Sequence, residues 1–251
     1  MFDLVITFLG ISHLALEFVS CLGTPPTNGH SMAGASTGLV INTTSGLVQG
    51  YRRQVPDGPA VRTWQGIPYA QPPVGKLRFR PPEKMQGWKD IKDARKQAPA
   101  CPQPTGNPIS PLNITDMAED CLFLNINSPE ADSDHLHPVM IWIHPGGFSQ
   151  GSSSTVDPAR LSSEEEVVVV TIQYRLGALG FLYLGLEAFG ETKEAFTNLG
   201  LRDQVLGIEW ITQNIMAFGG DPTRVTLFGS EVLSSWYFIQ NIPKYVKGQI
   251  I

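Results

Sequence analysis

Four short apolar runs, Leu122–Ile126, Val139–Ile143, Val167–Tyr174 and Val225–Phe228, constrain the fold of this chain more than any other feature. Runs of this length with little polar alternation are typical of strands covered on both faces, because a strand with one wet face alternates apolar and polar residues. Between the last two runs, Leu201, Val205, Ile208, Ile211 and Ile215 recur at helical spacing, and Phe218-Gly219-Gly220 follows as a stop signal. Strand, helix, strand in that order predicts an α/β fold with a parallel sheet. Upstream, Leu39–Ile41 and Leu47–Tyr51 flank Asn42-Thr-Thr-Ser-Gly46, which predicts an N-terminal antiparallel β-hairpin, with Val61–Trp64 as a third strand. Residues 68–111 are rich in Pro and too irregular for long helices. No internal repeat and no boundary with a second domain is visible.

The 251 residues are 42% apolar, enough for one sizeable core. Net charge is −5 and the Lys and Arg residues are scattered rather than gathered into a stripe, which argues against nucleic acid as a partner. The one charge run, Glu164-Glu165-Glu166, directly precedes an apolar strand and is expected to be a solvated end rather than a cation site.

Residues Leu4–Leu22 are mostly apolar and read as a secretory leader over residues 1–23, although Asp3 stands where a base is usual and His13 and Glu17 interrupt the run. Two ionisable residues inside so short a run argue against a membrane span. Residues 24–37 form a Pro-, Gly- and Ser-containing entry segment. Asn42-Thr43-Thr44 and Asn113-Ile114-Thr115 are glycosylation acceptors that agree with secretion. Of the three cysteines, Cys21 lies in the leader, whereas Cys101 and Cys121 bracket a stretch rich in turn formers. Their placement suggests one loop-closing disulfide and an oxidising compartment.

One site carries chemistry of its own. His144-Pro-Gly-Gly-Phe148 follows an apolar strand, and residues without side chains there let backbone N–H groups approach a developing oxyanion closely. The block belongs to an ordered series: Gln65-Gly-Ile-Pro-Tyr-Ala70, Pro72-Pro-Val-Gly-Lys-Leu-Arg-Phe79, Glu119-Asp-Cys-Leu-Phe-Leu-Asn125, Val139-Met-Ile-Trp-Ile-His-Pro-Gly-Gly-Phe148, Val170-Thr-Ile-Gln-Tyr-Arg-Leu-Gly177, Asn198-Leu-Gly-Leu-Arg-Asp-Gln204, Phe218-Gly-Gly-Asp-Pro222 and Val225-Thr-Leu-Phe-Gly229. Over residues 38–229 the chain therefore resembles the type-B carboxylesterases, a family that includes the cholinesterases and the non-catalytic neuroligins.

The resemblance implies an α/β-hydrolase fold, a small-molecule ester as substrate of the intact form, and neither cofactor nor metal. It implies Gly146 and Gly147 as oxyanion donors, with Pro145 where the family usually has a third Gly. It also implies a Cys101–Cys121 disulfide and two structural ion pairs, Arg175 with Asp203 and Arg78 with Glu119. His144 falls at a position that shapes the loop rather than one that catalyses.

The pattern breaks at the nucleophile. The fold needs G-x-S-x-G, because the strained strand-to-helix turn has no room for larger neighbours. The chain reads Phe228-Gly229-Ser230-Glu231-Val232-Leu233, so Glu231 occupies the nucleophile position and Leu233 the second Gly position. Taking Ser230 instead puts Phe228 and Val232 at the small positions. The triad partners follow the nucleophile in this fold, yet all five histidines, at 13, 30, 135, 137 and 144, precede it. The tail 230–251 no longer resembles the family. The expectation is thus a secreted ester hydrolase truncated after the central strand and inactive in this form, with an unpaired strand edge beyond Phe228. The alternative is a neuroligin-like binding or adhesion protein.

Overall fold

The computed structural model describes residues 39–105, 114–130, 135–183 and 197–229, and the backbone of 248–250. Strand β1 (Leu39–Thr43) turns into β2 (Gly46–Arg53) through two residues, with Thr43 opposite Gly46. The Thr43 hydroxyl closes that turn, donating to Gly46 O at 2.7 Å and accepting Ser45 N–H at 3.2 Å, the local bonding that suits Thr and Ser to turns. Strand β3 (Val61–Pro68) pairs antiparallel with β2, and a short β4 (Lys92–Asp93) lies parallel to β2 on the same side as β3, opposite β1. Between β3 and β4 the chain makes a 3-10 turn, Gly75–Leu77.

Four further strands build the centre: β5 (Phe123–Pro129), β6 (His137–Ile143), β7 (Val168–Ile172) and β8 (Gly220–Gly229). With β9 (Gly248–Ile250), the sheet runs β1-β2-β3-β5-β7-β6-β8-β9, and β4 stands off this path beside β2. Every residue of β7 is buried, as a strand covered on both faces requires.

The sheet is mixed rather than parallel. β6, β7 and β8 run parallel, but β5 is antiparallel to both β3 and β7. The cause is connection length: residues 130–136 are too few for the crossover of about a dozen residues that would bring β6 back parallel to β5, so β6 runs opposite to β5, and β7, parallel to β6, does too. The edge beyond Phe228 also differs from expectation, because β9 pairs with β8 from Thr226 to Phe228.

Three helices are described: α1 (Ala159–Glu164), α2 (Gly177–Phe181) and α3 (Leu199–Asn214). The face of α3 turned inward carries Ile208 and Ile211, as the spacing predicts, but also Asp203, Gln204 and Trp210. The helix runs on into the 3-10 turn Ile215–Phe218, and Phe218 packs edge-on against Trp64 with ring centroids 4.9 Å apart. Trp64, Ile143, Ile172, Ile208, Ile211, Phe218 and Leu227 belong to one core cluster spanning sheet and helix. At about 1.5–3 kcal/mol for each large apolar side chain fully buried, this cluster is the main source of stability.

Candidate functional site

The parallel strands end in register: Ile143 of β6 lies opposite Ile172 of β7 and Gly229 of β8. In open α/β sheets the crevice outside such carboxyl ends is where ligands bind. Three segments leave from this edge: residues 144–151 after β6, Gln173-Tyr174-Arg175 after β7, and the chain beyond Gly229. Ser230 and Glu231 lie outside the described residues.

The segment after β6 is a tight glycine turn. Gly146 has φ 127° and Gly147 φ 57°. A Cβ on Gly146 would fall 2.1 Å from Gln150 O, so no other residue fits there, whereas a Cβ on Gly147 would meet nothing within 4 Å. Gly146 O accepts from Ser149 N at 3.1 Å and from Gln150 N at 3.2 Å. C=O and N–H of a trans peptide point in opposite directions, so the Gly147 N–H is aimed out of the turn. Phe148 O accepts Gly177 N–H at 2.7 Å, and the Phe148 ring packs on Phe181, which seats the turn on α2.

His144 is fully buried at the root of the turn. Its ring stacks on Tyr174 with centroids 4.2 Å apart, and the Tyr174 hydroxyl donates to His144 O at 2.9 Å. Nδ1 lies 3.1 Å from Pro145 O; a carbonyl only accepts, so Nδ1 carries the proton. Burial lowers the imidazole pKa from 6.5 to about 4, against a smaller upward pull from the Pro145 bond. The ring is therefore neutral at pH 7 and suited to hold the loop's shape.

A polar network braces the far side of the turn. Gln173 Oε1 accepts Ser153 N–H at 3.0 Å, while Gln173 Nε2 donates to Ser152 Oγ and to Pro99 O, both at 3.3 Å. The buried Tyr69 hydroxyl donates to Gln173 O at 2.7 Å, and desolvation pushes its pKa well above the ordinary tyrosine value. Gln103 bonds both backbone groups of Gly151. Tyr69, Tyr174, Gln173 and Gln103 escaped sequence reasoning as site residues. Each acts through a polar tip on a residue distant in the chain, which leaves no local pattern to read.

Both ion pairs form. Arg175 and Asp203 meet in a buried bidentate pair at 2.8 and 2.7 Å, and Asp203 also accepts the Arg175 backbone N–H at 3.0 Å. Burial pushes the Asp203 carboxyl up, opposed by its bonds to the guanidinium. Arg78 and Glu119 pair at 2.6 and 2.7 Å on the surface. Cys101 and Cys121 are bonded as a disulfide, and both are fully buried. Closing a loop of this size contributes about 3 kcal/mol in the chain-entropy view.

Asn42 is exposed on β1, while Asn113, Cys21 and the leader lie outside the described residues. Among the described residues no helix is long and apolar enough to cross a membrane, and no group of three or more His, Cys, Asp or Glu is gathered for a metal ion.

Comparison with known proteins gives this geometry a setting. Residues 37–232 match the carboxylesterase family. The chain is 42% identical over 199 residues to the para-nitrobenzyl esterase of Bacillus subtilis, covering 77% of this chain and 38% of that protein. It is 43% identical over 208 residues to an acetylcholinesterase of Electrophorus electricus, covering 79% of this chain and 32% of that protein. It is also 43% identical over 203 residues to the pyrethroid hydrolase Ces2e of Rattus norvegicus, covering 77% of this chain and 35% of that protein. The chain thus spans about a third of the length of the curated relatives it matches.

Proposed function

Because this chain belongs to the carboxylesterase family, we propose that it carries the oxyanion-binding part of a secreted carboxylic ester hydrolase, and that these 251 residues by themselves do not turn over an ester. The observation that carries the reading is the glycine turn at the end of β6, in register with Gly229 at the end of β8. In this reading a small-molecule ester places its carbonyl oxygen at Gly146 and Gly147. When a nucleophile adds to the carbonyl carbon, negative charge gathers on that oxygen. Fixed N–H donors stabilise it without reorganising, an effect worth about 3–4 kcal/mol per donor in comparable sites. The neutral, buried His144 supports the turn and takes no proton at neutral pH.

The nucleophile is the missing part. An acyl-enzyme in this family requires a serine hydroxyl activated by a histidine, itself oriented by a carboxylate. Glu231 stands at that serine's position, and Ser230 has the bulky neighbours Phe228 and Val232. An activating histidine placed after the nucleophile would have to come from sequence outside these 251 residues. The fully formed Cys101–Cys121 bridge and the exposed acceptor Asn42 support secretion and glycosylation.

A second reading, a non-catalytic neuroligin-like binding protein, is favoured by the same Glu231, since such proteins also depart from the serine elbow. Treatment with a fluorophosphonate followed by peptide mass mapping tests the leading reading. No adduct is expected on Ser230. A stoichiometric adduct there would overturn it.

A further inference from the structure

We propose that Gln103 is a positioning residue for the glycine turn, setting the direction of the Gly146 N–H through a relay of contacts that starts on the disulfide-closed segment. The inference rests on Gly146 and Gly147 being the oxyanion donors, and it adds what holds them in place.

The relay can be followed atom by atom. The Gln103 carboxamide accepts Gly151 N–H at Oε1 and donates from Nε2 to Gly151 O, both at 2.8 Å. One planar amide meeting both groups of one residue fixes that residue's position and its rotation. Gln103 is itself held, because Nε2 also donates to Cys101 O at 3.0 Å and Cys101 is bonded to Cys121. Cys121 lies two residues before β5, whose partner is β7. The amide is therefore hydrogen-bonded to a main chain that the disulfide ties to the sheet.

Gly151 closes the turn against His144. A Cβ on Gly151 would fall 2.3 Å from His144 Nδ1, so the bare Cα is pressed against the imidazole. The ring stacks on Tyr174 and cannot retreat freely. Its Nδ1–H bonds Pro145 O, and that carbonyl belongs to the same peptide as the Gly146 N–H. Holding the carbonyl on one side directs the N–H to the other. A shift of Gly151 is thus transmitted to Gly146 through rigid groups, over a chain separation of 48 residues from Gln103.

The experiment is amide exchange and imidazole titration by NMR on the 251-residue chain and its Gln103→Ala and Gln103→Glu variants. Losing both hydrogen bonds to Gly151 is expected to speed exchange across residues 146–151 about tenfold in Gln103→Ala. Exchange in β6 and β7 is expected to stay unchanged. The His144 imidazole, titrating at about 4 in the parent chain, is expected to move up towards 6.5 as water reaches it. In Gln103→Glu the ionised carboxylate still accepts Gly151 N–H but cannot donate, and it sets a negative charge against Gly151 O and Cys101 O, so exchange at 146–151 should be faster than in the parent at pH 7. The neutral acid can again donate to Gly151 O, so protection in Gln103→Glu should recover on acidification when compared with the parent at the same pH, which cancels the titration of His144 itself. Unchanged exchange at 146–151 in Gln103→Ala, or exchange rising equally in β6 and β7, would overturn the proposal. None of these readouts needs ester turnover, so their failure leaves the functional reading standing, and an unexpected esterase activity leaves the relay standing.

Discussion

Arg175–Asp203 and Arg78–Glu119 join the same chemical groups in two different solvents. At the carboxyl edge of the sheet the first pair has side chains 3% and 0% exposed, and at the surface the second has 45% and 29%. Both share bidentate geometry, so geometry does not distinguish them. What differs is the fate of a partner left alone. Water solvates a surface Arg at little cost, whereas a buried guanidinium without its carboxylate retains the full cost of leaving water. The same contrast separates the network around the glycine turn from the hairpin edge, where Val40 and Leu47 are exposed.

The sharpest way to break the comparison is Asp203→Ala, which takes the carboxylate from Arg175 and leaves the Arg80 carbonyl on Nη1. A loss of about 3–5 kcal/mol is expected in urea unfolding at pH 7. A loss below about 1 kcal/mol, the range of a surface pair, would mean that the buried edge is wetter than it looks.

His144 extends the contrast to pH. Its folded pKa, about 4, lies below the value near 6.5 of an unfolded chain, so the unfolded state takes up the proton first. The neutral, buried form contributes fully above pH 6.5, and stability is lost as pH falls towards 4. At about 1.36 kcal/mol per unit this amounts to roughly 3 kcal/mol. His144→Phe should remove that dependence. The measurement is the difference in unfolding free energy between parent and variant across roughly pH 4–7, and a flat difference would contradict the burial of the ring.

The smallest effect is expected at the surface. Glu119→Gln should cost about 0–1 kcal/mol, and the cost should shrink further in about 0.5 M salt. A larger, salt-independent cost would erase the distinction between the two pairs.

Sequence reasoning found the hairpin, β3, the central strands β5 to β8 and α3, because apolar runs, turn formers and a 3.6-residue period are local signals, but not the short β4 and β9. It missed the antiparallel sense of β5, which depends on the short link to β6 and on which strand lies between them. It placed β8 at Val225–Phe228, whereas the strand begins at Gly220, because Asp221 and Arg224 interrupt the apolar run. At the site, the glycines after β6 were legible as a turn with exposed amides. The residues that hold the turn were not: Gln103 and Tyr174 reach it across 48 and 30 residues of chain, and Tyr69 acts one step removed, on Gln173 across 104. Family position supplied both ion pairs, but only burial separates the one that stability depends on from the one that it does not.

The central claim, a formed oxyanion turn without a working nucleophile, is tested most directly by steady-state hydrolysis of a chromogenic butyrate ester by the 251-residue chain beside its Gly146→Pro variant. The account predicts no saturable turnover by the parent chain, with any residual rate above buffer lowered by Gly146→Pro. Saturation kinetics in the parent chain, with a burst of acylation, would contradict it.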